Sequence, residues 1–148
     1  MIADALLQLA SAQAFTSSDE VTTNTVSIED ARQLGDGEPL CLVFNITTAA
    51  TGDGGSQTDA TSFRVVTDTV AALSSPTNVA EVTRLNATLT AGAQVVVLIP
   101  PGPLTELFLG GQVVLGTGDT VSADCFVAPL SFVPKRFAGG YPAGVTVL

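Results

Sequence analysis

The sequence predicts an all-β protein, an antiparallel two-sheet sandwich or jelly roll of about eight strands with an arm at each end. Three observations point there. Of 148 residues, 46% are hydrophobic and only 13% charged, with 14 Gly, 8 Pro and abundant Val and Thr, a composition suited to strands and turns. Short β-branched runs recur at spacings of roughly 8–16 residues, as in sandwiches. Between Ala93 and Leu130, three such runs (Val95–Ile99, Leu107–Leu115, Thr120–Leu130) are separated by the Pro100–Pro103 and Gly116–Asp119 clusters, the pattern of consecutive antiparallel strands.

Taken in order, residues 1–18 read as an N-terminal arm or a short helix, because Ile2, Leu6 and Leu9 fall at helical spacing over barely two turns. A secretory signal is not expected, since Asp4 precedes the apolar stretch and no Lys or Arg occurs before Arg32. Residues 19–130 form the expected sandwich domain. Thr22–Ile28 reads as its first strand. From Leu40 the alternation is clear: Leu40, Leu42, Phe44 and Ile46 face one way, Cys41, Val43 and Asn45 the other, so a central strand is expected. Thr47–Thr61, rich in Thr, Gly, Asp and Ser, reads as a long exposed loop. Phe63–Asp68 and Val79–Leu85 alternate again, joined by a helical turn or wide loop that ends at Ser75-Pro76. Val95–Ile99, apolar on both faces, is expected to anchor the sandwich.

Residues 131–148 form a C-terminal arm carrying Phe132, Lys135, Arg136, Phe137 and Tyr141, broken by Pro and Gly. Three aromatics are too apolar for a solvated tail, so the arm should pack on a neighbouring surface, with Lys135 and Arg136 either keeping the tail soluble or docking on an acidic partner while Phe137 and Tyr141 fill apolar pockets.

Charge excludes several functions. With 14 acidic and 5 basic residues the net charge is −9, which disfavours nucleic acid and anionic membranes. A mean hydropathy of +0.46 is high for such a chain and favours oligomerisation or docking on a larger body. No apolar run approaches the ~20 residues that span a bilayer. The absence of histidine removes the usual general base and metal ligand, so no enzyme, cofactor, metal or small-molecule substrate is expected.

The remaining chemical motifs have structural readings. Gly35-Asp36-Gly37 and Gly116-Thr117-Gly118 read as turns rather than phosphate loops. Asp53, Asp59, Asp119 and Asp124 match no calcium loop and read as solvated acids. The Asn45 and Asn86 sequons are attributed to chance, and Cys41 and Cys125 to buried thiols rather than a disulfide.

Several segments together resemble the cement, or decoration, proteins of tailed-bacteriophage capsids, in particular the podophage type. They are Leu9–Thr16, Gly35–Leu40, Phe63–Asp68, Ala91–Ala93 leading to Leu98–Gly102, Gly116–Gly118, and Arg136–Gly144 with its Arg-x-x-x-x-Tyr-Pro-x-Gly pattern. Leu107–Gln112 departs from the Arg- and Tyr-rich strand expected there, which makes contacts at that strand more apolar. The resemblance implies a jelly-roll-like sandwich, a homotrimer on the outer capsid surface between capsomers, bound to the major capsid protein in a virion made in the host cytoplasm. Leu6, Leu9, Phe15, Phe108, Phe132, Lys135, Arg136, Phe137 and Tyr141 are then the expected capsid or inter-subunit contacts. A tail-associated or surface adhesin binding glycan through the 47–61 loop is the alternative.

Overall fold

The alternation that starts at Leu40 governs the architecture. In the computed structural model, which describes residues 7–28, 33–34, 39–52, 59–100, 102–103, 106–131 and 133, it produces a strand over Leu40–Thr51 (β5). Leu42, Phe44 and Ile46 point into the main core, while Cys41 and Val43 point to the opposite face. A strand apolar on both faces belongs inside a sheet. β5 is flanked by Thr120–Pro129 (β11) and Gln94–Leu98 (β8), and β11 also pairs with Gln8–Phe15 (β1).

The second sheet is built on Phe108–Val114 (β10), which pairs with Ala60–Asp68 (β6) on one side. On its other side it meets two short strands in turn, Glu20–Val21 (β2) and Val26–Ser27 (β3). Thr77–Leu85 (β7) closes the edge beyond β6. A two-stranded ribbon of Gln33–Leu34 (β4) and Gly102–Pro103 (β9) stands apart.

Treating β2 and β3 as one interrupted strand and setting the ribbon aside, the sheets are ordered β1-β11-β5-β8 and β2/β3-β10-β6-β7. In terms of eight consecutive strands these orders are 1-8-3-6 and 2-7-4-5. That is the two-sheet connectivity of a jelly roll.

The inner faces meet through Leu9, Phe15, Leu42, Phe44, Phe63, Val65, Val95, Val97, Leu109 and Val113, among others. Phe44 of one sheet and Phe63 of the other pack with ring centroids 5.0 Å apart at a 57° tilt. Gly111 makes that contact possible: a Cβ there would lie 2.9 Å from Phe44 Cζ.

Several expectations change. Residues 8–15 are a strand rather than part of an arm, because Leu9, Ala10 and Phe15 gain a complete apolar environment only beside β11. The three runs between Ala93 and Leu130 are not hydrogen-bonded neighbours; β8 and β11 lie in one sheet and β10 in the other. β8 is an edge strand, with Val95 and Val97 inward and Leu98 half exposed. Of the expected strand Thr22–Ile28 only Val26–Ser27 (β3) is a strand; β2 precedes it, and between the two Thr22 Oγ1 donates to Asn24 O at 3.0 Å and accepts from Gly111 N at 3.1 Å. Strand pairing reaches into the expected long loop from both sides, to Thr51 and from Ala60.

Both cysteines are free and buried on opposite faces of one sheet, Cys125 in the inter-sheet core and Cys41 outside it. Burial pushes the Cys41 thiol up to about 11 and raises that of Cys125 as well.

Candidate docking end of the sandwich

Register defines two ends. Gln8 lies opposite Phe126, Leu40 opposite Pro129 and Cys41 opposite Leu98, while Phe108 lies between Asp68 and Ser27. These positions mark one end of both sheets. Backbone bonds tie its loops to the strands: Ile28 N to Leu107 O at 2.7 Å, Ile99 N to Leu40 O at 2.9 Å, and Leu130 N to Pro39 O at 2.8 Å.

This end carries most of the large apolar surface among the described residues. Leu7, Val70, Leu98 and Leu107 are 36–50% exposed here, whereas Leu85, at 53%, lies at the opposite end. The connections that carry the β4–β9 ribbon start and finish here, and so does the chain beyond β11. Sequence reasoning missed Leu7, Val70, Leu98 and Leu107. Each sits at a strand boundary, where alternation no longer says whether a side chain has a partner.

The β6–β7 turn shapes one side of this end. Asp68, 5% exposed, accepts from the backbone N–H of Thr69 at 2.6 Å, Val70 at 3.3 Å and Ser75 at 2.8 Å. These bonds, that from Ser75 foremost, hold its carboxyl below the ordinary carboxylate range. The turn thereby presents Val70 outward and folds Leu73, at φ +48° and 3% exposed, over Gly110.

The opposite end is closed by polar contacts. Thr61 Oγ1 donates to Asn86 Oδ1 at 2.7 Å, and Asn86 Nδ2 donates to Asp119 Oδ2 at 3.0 Å. Asp119, expected in solvent, is 1% exposed, and Asn86 equally so, which leaves its sequon inaccessible in the folded chain. Asp59 and Asp124 are partly buried, Asp124 Oδ1 accepting from Ala12 N at 2.6 Å, while Asp53 lies outside the described residues.

The two outer faces differ. On the β6 sheet, Arg64 is bound by Glu81, lies 3.7 Å from Asp19 and donates to Gln112 Oε1 at 3.4 Å, and Ser62 pairs with Thr83 at 2.8 Å. The Arg64 hydrogen bond keeps the Glu81 carboxyl below its usual range. On the β5 sheet the outer face is apolar toward this end, with Cys41, Val43, Phe126, Ala128 and Val133 in one cluster, and polar in the next row, where Gln94 Nε2 donates to Asn45 Oδ1 at 2.6 Å.

The expected contact residues divide accordingly. Phe108 is half-buried at the apolar end. Leu9 and Phe15 are fully buried in the core of their own chain, so they hold the sandwich together rather than face a partner. Leu6, Phe132, Lys135, Arg136, Phe137 and Tyr141 lie outside the described residues.

Among the described residues no group of three or more Cys, Asp or Glu is placed to hold a metal, and no helix is long and apolar enough to cross a membrane. The fold and its apolar end define a jelly-roll domain with a candidate interaction surface. The sequence matches the model of the Bbp16 family over residues 9–129, a span that includes every strand of both sheets except the first residue of β1. The chain belongs to the Bbp16 family. No curated protein matches it.

Proposed function

We propose that this chain is a non-enzymatic capsid cement protein of a tailed phage, docking on the major capsid protein from outside as a homotrimer. The observation that supports this most is the gathering of Leu7, Val70, Leu98 and Leu107 at one end of a sandwich whose other end is closed by polar contacts. Exposed apolar side chains concentrated in one region mark an interaction surface. A jelly roll stands on such an end as a rigid post. Binding only the assembled shell stabilises that shell by RT ln(1 + [L]/Kd). Three linked copies turn modest single contacts into strong attachment.

Co-expression with the source phage's major capsid protein, followed by sedimentation and light scattering, tests the reading. The wild-type chain should sediment with particles and behave as a trimer. A Leu98→Glu/Leu107→Glu variant should keep its melting temperature and lose particle binding at least about tenfold, since two half-exposed leucines contribute on the order of 1–2 kcal/mol on burial. A wild-type chain that ignores capsids but binds a glycan array would replace this reading with the adhesin one.

A further inference from the structure

The two sides of the sandwich are finished differently. On one, Gln13 Nε2 donates to Val21 O at 2.8 Å, Thr23 N to Gln13 Oε1 at 2.9 Å and Asn24 N to Leu9 O at 2.9 Å, which ties β1 to β2 and to the chain after it. On the other side β7 has β6 as its sole strand partner among the described residues, and six of its nine side chains are exposed. An open edge of that length is a template for another strand.

Faces and charges along β7 complement each other end to end. Residues directly opposite in an antiparallel pair share a face. Thr77 and Arg84 lie opposite Thr67 and Thr61, which are 3% and 0% exposed, so both stand on the core side, where Val79, Ala80 and Val82 also pack. Positions an odd number apart share a face here because the register shifts between Val65 and Val66. Arg84 makes no ion pair among the described residues, its Nη1 donating to Thr83 O at 3.1 Å. At the other end of the strand Thr77 Oγ1 donates to Glu106 Oε1 at 2.9 Å, while Glu106 Oε2 has no hydrogen-bond partner. Leu85, 53% exposed, lies far from the docking end and has no role there. An antiparallel second copy with residue 84 opposite residue 77 brings each Arg84 to the other's Glu106, Leu85 to Pro76 and Val82 to Val79. It also sets Glu81 against Ala80 instead of a second Glu81, so like charges do not face each other.

We infer that β7 pairs antiparallel with β7 of a second copy about a two-fold axis, joining two sheets edge to edge and exchanging two Arg84–Glu106 ion pairs. The contact is isologous and so cannot itself build a trimer; it links one trimer of the proposed function to its neighbour. It does not depend on capsid binding, and its failure would leave that reading standing. Asn78 and Thr83 are exposed on the outer face, where Asn78 Nδ2 donates to Glu81 and Thr83 pairs with Ser62, and the register sets them opposite each other between copies. Full-length Asn78→Cys and Thr83→Cys proteins, mixed and oxidised with oxidised glutathione, should form a 78–83 disulfide between copies, read by mass spectrometry. Each protein alone should link at least about tenfold more slowly, because like positions are then about 17 Å apart. Cys41 and Cys125 are buried, and the wild-type chain gives their background. Arg84→Glu in both proteins should slow the mixed disulfide about tenfold, and adding Glu106→Arg should restore it. A mixed disulfide that is absent, or forms no faster than the 78–78 and 83–83 links, overturns the pairing. A rate that Arg84→Glu leaves unchanged, or that the reciprocal swap fails to restore, overturns the ion pairs and the register they define.

Discussion

Two glycines in succession on β10 carry unequal burdens. At Gly111 an added Cβ meets the ring of Phe44, which is fully buried against Phe63 and has no room to retreat. Gly111→Ala should therefore cost about 1–3 kcal/mol, read as a lower urea midpoint. At Gly110 the nearest neighbour of an added Cβ is Leu73 Cδ1, at 2.5 Å, the far end of a flexible side chain rather than a buried ring, so the same substitution should cost less. Equal midpoints for the two variants would contradict this account of β10. Asp68 sets a pH dependence. Its carboxyl titrates lower in the folded chain than in the unfolded one, so its contribution is present above the unfolded value of about 3.9 and fades as pH falls through the folded value. Asp68→Asn should lower the melting temperature at pH 7, and its deficit relative to wild type should shrink as pH drops below about 3.9. A deficit constant from pH 7 to strong acid would rule this out.

At the scale of elements, β1 shows how a strand can hide. Opposite β11 the register slips twice, between Gln8 and Ala10 and between Ala10 and Gln13, so that β1 spends two residues more than its partner. Ala12, at φ +44°, takes up the second bulge, and the Asp124 carboxylate accepts its N–H. The two irregularities break the period of two: Leu9 and Ala10 are both buried, followed by two exposed residues. Helical spacing was then the stronger local pattern. Because Leu9 is wholly inside, Leu9→Ala should cost about 2–5 kcal/mol in thermal or chemical unfolding, whereas on an arm it would cost almost nothing. β5 was legible for the opposite reason, its alternation being unbroken from Leu40 to Ile46. The apolar end was not legible, since the exposure of Leu98 and Leu107 depends on which strands end beside them.

For the molecule as a whole, the all-β class followed from residue types and periodicity, but the pairing did not. Among the long strands only β6 and β7 are both consecutive and hydrogen-bonded; β8, β10 and β11 alternate between sheets. Sequence proximity says little where each connection crosses from one sheet to the other. The most consequential result of that topology is the position of β11, the last long strand among the described residues, between β1 and β5. During synthesis β1 and β5 can complete their bonds to β11 only once Thr120–Pro129 have left the ribosome. Such long-range closure makes folding slow, on the order of milliseconds to seconds. It also places the commitment to fold late: a ribosome that stops before β11 is made releases a chain of unpaired edges rather than a smaller working domain.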